Sequence, residues 1–494
     1  MKISINRLKD YIPFNQSTNE IAELLTAGGL EVEGITTYES VKGSLKGIVV
    51  GEVMSCEPHP NADKLSLTTV DLGGEVVPIV CGAPNVAKGQ KVPVATVGAT
   101  LYPSSGEPFL IKKAKIRGEV SLGMICAEDE LWLGEGHDGI LVLDTTLPNG
   151  SPVAQLFDIK EIDVLEIGLT PNRADAASHL GVARDLKALL DKELELKGVE
   201  NFSIDNEDKI IKVSVEDSKD CPRYAGLTLS NVKVAPSPKW LQDYLKAIGL
   251  EPINNVVDAT NYILHDLGQP LHAFDADKIQ GGEIQVKRMP EGTKFVTLDG
   301  KERSLSGKEL MICDQQEGLC IAGTLGGLES GVSNKTSTIF LESANFGMDV
   351  VRRGAQFHGI KTDASFRFER GTDPNMPVFA LKKAAMLIKE LTGALISSPI
   401  TDIYPEPIAD FEIPVSYRHI NRLIGKEIGK DKIKQILEAL EIKVTNETAT
   451  GFVAKVKPYR VDVTREADII EEILRIYGFE AIPLKENYQA DFLA

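Results

Sequence analysis

The chain has 494 residues, 72 Asp and Glu against 54 Lys and Arg, and a net charge of −18; this length exceeds what one hydrophobic core supports, so three or more domains are expected. Hydrophobic content of 43% with 26% charged residues is that of a soluble globular protein, no run of about 18 apolar residues suggests a membrane span, and MKISINRLKDYIPF lacks the apolar stretch of a secretory signal. Six scattered cysteines without a C-x-x-C pair argue against a zinc ribbon or disulfide framework and fit free thiols in a cytoplasmic protein, while the acidity lowers the expectation of a free-standing nucleic-acid binder unless basic stripes are local.

In chain order, the first forty residues predict a strand and then a helix. Ser17 and Glu20 have capping-box spacing, Ile21, Leu24 and Leu25 form an apolar face, and Gly28-Gly29 stop the helix. From about 43 to 150, short β runs with Gly and Pro between them predict a small β-barrel, for which the OB-fold is the expected form. ASHLGVARDLKALLDKEL predicts a helix capped by Ser178, and GVENFSIDNEDK a polar linker. From 210 to 400 the texture is α+β: SPKWLQDYLKAIG predicts a helix with Ser237 at N-cap and Pro238 at N1, and a later helix opens in TDPNMPVFALKK and stops at Gly393. Three prolines in IYPEPIADFEIP mark a boundary. Beyond it come helix, strands and helix: KDKIKQILEALEI presents Ile433, Ile436, Leu437 and Leu440, and TREADIIEEILRIYGF is expected to begin near Thr464 and end at Gly478.

Four stretches, in order, resemble one family. SCEPHPNADKLSLTTVDLG with KIRGEVSLGMICAEDEL looks like the OB-type tRNA-binding module of several synthetases. LTPNRADAASHLGVARDL resembles the signature that follows it in bacterial phenylalanyl-tRNA synthetase beta chains. VVDATNYILHDLGQPLHAFD, FLESANF and TDASFRFERGTDP are similar to that family's proofreading domain, and PYRVDVTREADIIEEILRIYGFE to its B5 domain. The resemblance implies a multidomain α+β chain: an N-terminal α+β module (1–42 and 156–200) with an inserted OB barrel (43–155), a B3/B4-like proofreading domain (210–400), and a small α+β B5 domain (408–484) of winged-helix or DNA-binding-like type. It implies a C-terminally shortened beta chain, without the catalytic-like and anticodon-binding domains. It further implies an α2β2 assembly with an alpha subunit that activates phenylalanine with ATP, a tRNA(Phe) partner, and hydrolysis of mischarged tyrosyl-tRNA by this chain.

Tyrosine is phenylalanine plus one hydroxyl, and an apolar pocket rejects an added hydroxyl by only about a hundredfold. A second site that senses the hydroxyl can destroy the wrong product. The resemblance assigns that site to Thr260, Asn261, Pro270, His272, Gly326, Gly327, Glu342, Thr362 and Ala364. Glu342 can accept a hydrogen bond from a phenol, the backbone N–H groups of Gly326 and Gly327 can face the ester carbonyl, and Ala364 leaves room. His272 has three open roles: orienting ribose or water, acting as general base if it titrates near neutrality, or filling a buried polar contact. No G-x-S-x-G nucleophile and no paired Cys/His signature is present, so water is the expected attacking group.

Asp468, Glu471 and Glu472 fall at i, i+3 and i+4, on one helix face, with Asp462 six residues before. Acidic residues early in a helix also suit its dipole, but the resemblance matches these four to a magnesium site of the B5 domain, which oxygen-only ligands suit, and implies an ion shared with the alpha subunit. Lys112, Lys113, Lys115 and Arg117 form a basic run fit for phosphate contacts, although residues 43 to 150 hold eight Lys and Arg against thirteen Asp and Glu. Phe366-Arg367-Phe368-Glu369 looks like the F-R-x-E strand motif of class II synthetase cores; no glycine-rich partner motif ending in Arg follows, so it is read as coincidence. Two other functions stay open: a free-standing aminoacyl-tRNA deacylase, and a non-catalytic tRNA-binding scaffold.

Overall fold

The computed structural model describes residues 1–103, 107–134, 136 and 138–483. It divides into two compact units, residues 37–162 and residues 1–36 together with those from 163 onward.

In the 37–162 unit, Val, Ile and Thr alternation produces a five-stranded antiparallel sheet. Its spatial order is Met124–Ile125, Lys91–Ala95, Ile48–Pro58, Ser66–Asp71, Val76–Cys81. The two outer strands of that order come together, so the sheet is a nearly closed barrel around Val53, Val70, Ile79, Val94 and Ile125.

The other unit opens with two helices where one was expected: α1 (Ile5–Tyr11) and α2 (Thr18–Ala27). The Ser17–Glu20 capping box forms, with Ser17 accepting from the Glu20 N–H and Glu20 accepting from the Ser17 N–H. After α3 (His179–Leu190), capped by Ser178, the chain runs without helix or strand to Lys212. This stretch is fastened rather than loose: Asp205 pairs with Lys389 and accepts from the Ile396 N–H, and Phe202 packs on the main core.

The centre of the unit is an antiparallel sheet in which Thr338–Asn345 lies between Leu271–Asp275 and Arg223–Ser230. Strand alternation gives it two different faces. Leu227, Leu229, Ala273, Ile339 and Leu341 pack with α5 (Asn255–Leu267) and α8 (Pro377–Thr392). Tyr224, Phe274, Phe340 and Ala344 pack on the other side with Ile284, Ile312, Leu319 and Cys320 of a second five-stranded sheet. Between α5 and its predecessor α4 (Lys239–Ala247), the expected N-cap is displaced: the Ser237 hydroxyl donates to Asp258 at 2.6 Å, and Pro238 takes the cap position. Helices α6 (Met348–His358) and α7 (Asp363–Phe368) follow the central strand. The F-R-x-E tetrapeptide lies on α7 and its C-cap, not on a strand, which supports reading it as coincidence.

The last segment has its own core. Strands Phe411–Ser416, Gly451–Val456 and Lys443–Thr445 form a sheet against α9 (Tyr417–Ile424), α10 (Lys430–Ala439) and α11 (Glu466–Tyr477), around Ile420, Ile433, Leu437, Ala454 and Ile473. Helix α11 starts two residues after Thr464 because Arg465 and Asp468 form its cap.

Gly226 stands opposite Glu342 in the sheet, and a Cβ there would lie 2.3 Å from Cζ of the buried Phe340 ring. Gly226→Ala is therefore expected to destabilise the unit by about 1–3 kcal/mol through overpacking, measured as a lowered urea midpoint at unchanged slope.

Candidate functional site

Burial and strand register put Glu342 and His272 together. They are direct partners across neighbouring strands, so their side chains leave the same face of the sheet, the one that faces away from α5 and α8. The carboxyl of Glu342 is buried, and Tyr224 from the other neighbouring strand donates its hydroxyl to Oε2 at 2.6 Å. Among the described residues, Oε1 has no hydrogen bond. Burial pushes the Glu342 carboxyl up to about 7, against the opposing Tyr224 hydrogen bond. Burial also pulls the His272 imidazole down to about 4. At neutral pH the ring is uncharged and a weak base, which disfavours the general-base role. Its buried Nε2 has no partner among the described residues, and its ring meets Phe274 edge-on at 4.4 Å.

The hairpin that follows Gly318–Ile321 closes over this face. A Cβ on Gly326 would lie 2.7 Å from Cε1 of His272, so only glycine lets the hairpin approach the imidazole. Gly327 is glycine for a related reason, its Cβ position lying 2.7 Å from the Leu319 carbonyl oxygen. The expectation that both glycine N–H groups face a substrate needs correcting: the Gly327 N–H donates to the Leu319 carbonyl at 2.8 Å, closing the hairpin. Thr362 caps α7 and donates to the Thr324 carbonyl at the hairpin turn, 2.9 Å away. Ala364 packs on the cluster that contains Tyr224 and Cys320. Pro270 is buried directly before the His272 strand, beside Gln269, whose amide donates to the Ala344 carbonyl at 2.8 Å.

Thr260 and Asn261 sit elsewhere in this arrangement. Both are on α5, which packs on the opposite face of the sheet, and the Thr260 hydroxyl donates to the Val257 carbonyl within its own helix. Tyr224 and Gln269 are the residues that sequence reasoning missed. The alternation of RYAGLTLS placed Tyr224 and Gly226 on one face, but only the strand register shows that Glu342 shares it.

The four acidic residues near the C-terminus are divided by the structure. Glu472 is buried and bonded to Arg475 at 2.6 Å and Arg460 at 2.8 Å; burial would push it up, but these guanidinium groups hold it down at about 2. Asp468 accepts from the Thr464 and Arg465 N–H groups and the Arg465 side chain, while Glu471 is exposed. Asp462 lies 3.7 Å from Arg460 with one buried oxygen unpaired. Among the described residues no three His, Cys, Asp or Glu side chains gather as a metal would need. Two arginines hold the buried Glu472, so within this chain alone the four carboxylates do not form a complete donor set, and a magnesium ion here would need ligands from the alpha subunit. Arg475 also bridges Asp185 at 3.0 Å and the Gly28 carbonyl at 3.2 Å, and Asp185 meets Arg173 at 2.7 Å. This network joins α11 to α3 and to the end of α2.

In the barrel unit, Lys112, Lys113, Lys115 and Arg117 are all exposed around the hairpin of Ala114–Ile116 and Glu119–Ser121, with Arg117 at φ 51 in its turn.

Three family models match: the B3/4 domain at 220–393, the "Putative tRNA binding domain" at 48–152, and the tRNA synthetase B5 domain at 413–479. The phenylalanine–tRNA ligase beta subunit of Bacteroides fragilis is 53% identical over 99% of this chain and 60% of its own length. That of Porphyromonas gingivalis is 49% identical over 98% and 60%. The chain belongs to the phenylalanine–tRNA ligase beta-subunit family. It spans about 60% of the length of these relatives. A solved N-terminal fragment of the Pyrococcus horikoshii beta subunit aligns over 97% of this chain and 99% of its own, at 14% identity and a TM-score of 0.40. Tyr224, His272, Gly326, Glu342 and Ala364 all fall in the B3/4 match, and the Glu472–Arg475 pair in the B5 match. Among the described residues no helix is long and apolar enough to cross a membrane.

Two outcomes test these geometries. Glu342 holds its proton more tightly folded, near 7, than at its usual 4.5, so its stabilising contribution is complete below about pH 4.5 and is lost as pH rises through 7. Glu342→Gln keeps an acceptor for Tyr224 and removes the titration; urea unfolding from about pH 5 to 8 is expected to lose up to about 3 kcal/mol of pH dependence. For the arginine network, thermal unfolding in chelator and in excess magnesium is expected to coincide. Glu472→Gln, which leaves Arg460 with Asp175 and Arg475 with Asp185 but removes the buried carboxylate the two arginines share, is expected to cost about 3 kcal/mol in both.

Proposed function

We propose that this chain supplies the editing and tRNA-holding part of a phenylalanine–tRNA ligase, hydrolysing tyrosine wrongly esterified to tRNA(Phe). A separate alpha subunit, in an α2β2 enzyme of the cytoplasm, would attach phenylalanine using ATP. The observation that carries the reading is Glu342: a buried carboxyl that titrates near neutrality, anchored through one oxygen by Tyr224, with the other oxygen unpartnered.

A tyrosine side chain entering this pocket can place its hydroxyl on Oε1 of Glu342, whereas phenylalanine would leave that buried oxygen unpaired. His272, neutral and with Nε2 open, suits accepting a hydrogen bond from a ribose hydroxyl or the attacking water. It positions rather than deprotonates. Water adds its oxygen to the ester carbonyl carbon, the bond from that carbon to the ribose oxygen breaks, and the proton passes to the ribose oxygen. Gly326 lets the hairpin pack directly on the imidazole, which holds the ring in place. The exposed Lys112–Arg117 hairpin offers phosphate contacts in an otherwise acidic barrel, which suits an auxiliary role in tRNA binding. Asp462, Asp468, Glu471 and Glu472 would hold magnesium together with the alpha subunit, and the ester hydrolysis itself is routed through no metal.

The test is hydrolysis of tyrosyl-tRNA(Phe) against phenylalanyl-tRNA(Phe) by this chain, with and without an alpha subunit. Selective loss of the tyrosyl ester is expected, and Glu342→Ala is expected to reduce the selectivity by about tenfold or more. His272→Ala should lower the rate without changing its pH profile near neutrality. Turnover without an alpha subunit would favour a free-standing deacylase, and tRNA retention without turnover in either setting would leave a scaffold.

A further inference from the structure

On the helical side of the central sheet, away from Glu342 and His272, residues of α1, α4, α5 and α8 line a cavity of about 320 Å³. Six side chains decide its chemistry. Arg7 is fully engaged: it grips Asp266 through Nε and Nη2 at 2.7 and 2.8 Å and reaches Asp10 at 3.0 Å. Asp266 is therefore neutralised and fixed in the wall, while Asp10 stays half-exposed to solvent beside it. Trp240 is 46% exposed and meets Tyr262 edge-on, with ring centroids 5.7 Å apart, so two aromatic rings border the space. The remaining side chain is Lys383 on α8. It is partly buried with its ammonium 5.8 Å from the centroid of the Phe379 ring, and among the described residues no hydrogen bond or ion pair meets it. Burial lowers its pKa, against the opposing charge of Asp266, which Arg7 already holds. The other acidic side chains on the lining, Glu195 and Glu390, are exposed to solvent.

An unpaired ammonium beside a half-exposed indole and a phenol, in a space large enough for a small molecule, is an incomplete set of interactions. An anion would complete Lys383, and a planar ring would cover Trp240 and Tyr262. We propose that this cavity binds a small aromatic carboxylate, its carboxylate on Lys383 and its ring against Trp240 and Tyr262. The site lies beyond the editing pocket and does not depend on that pocket's activity.

The chain has two tryptophans, Trp132 and Trp240, so Trp132→Phe leaves Trp240 as the only indole reporter. Titrating that variant with 3-phenylpropionate is expected to give a saturable change in Trp240 emission at millimolar concentration or below. Phenethylamine, which keeps the ring and lacks the carboxylate, should give none. Lys383→Gln in the same background should weaken the response at least about tenfold, the loss of one charge-assisted hydrogen bond, while Glu342→Gln leaves it unchanged. An absent response, an equal response to both compounds, or an unaltered response in Lys383→Gln would overturn the proposal. So would loss of the response in Glu342→Gln, which would put the ligand in the editing pocket instead.

Discussion

A carboxyl group in the central strand of a buried sheet must be given hydrogen bonds, matched with a cation, or left protonated, because an unpaired charge there costs several kcal/mol. Glu342 takes the first and third routes and avoids the second. Tyr224 gives it one hydrogen bond, burial brings its titration near neutrality, and no arginine or lysine is bonded to it among the described residues. The surrounding strands fit around that choice. Gly226 opposite it carries no side chain and makes room for Phe340, His272 on the other neighbour is neutral, and Gly326 lets the covering hairpin come close.

Glu472 shows the other solution in the same chain. Its burial is as deep, but Arg460 and Arg475 neutralise it, and the same arginines reach Asp175, Asp185 and the Gly28 carbonyl. A carboxylate so engaged has no free oxygen to offer a ligand without breaking a buried ion pair. Its contribution is to join distant segments of the fold.

The α+β character, the barrel and most helix ends were legible in the sequence because each rests on local signals. The Ser17–Glu20 box, the Ser178 cap and the stops at Gly393 and Gly478 are set by residues a turn apart. Failures came where a distant partner claimed a local group. Ser237 read as an N-cap, but Asp258 takes its hydroxyl. The stretch after α3 read as a linker, but Lys389 and the Ile396 N–H hold Asp205. The same distinction runs through the candidate site. Motif resemblance supplied His272 and Glu342, and the structure makes them register partners; Tyr224 needed the register itself. Helical spacing put Asp468, Glu471 and Glu472 on one face, yet it could not show that Arg460 and Arg475 lie against only the last.

These two carboxyl environments suggest how structure and chemistry are divided in this chain. Buried ionic groups that hold elements together are saturated: Arg7 with Asp266, Arg173 with Asp185, and Arg475 with Glu472. Several polar atoms inside the B3/4 match have no partner among the described residues, Thr228 Oγ1, Gln269 Oε1 and Ser343 Oγ among them; Oε1 of Glu342 and Nε2 of His272 are set apart because their residues are direct partners on one face of one sheet. Leaving them unpaired costs folding stability, a cost that a ligand able to complete them would offset. Under the proposed editing role, a tyrosyl hydroxyl would do so for Glu342 and a phenylalanyl ring would not. If the chain edits as proposed, the groups that cost stability when unpaired are the ones that would discriminate between the two esters.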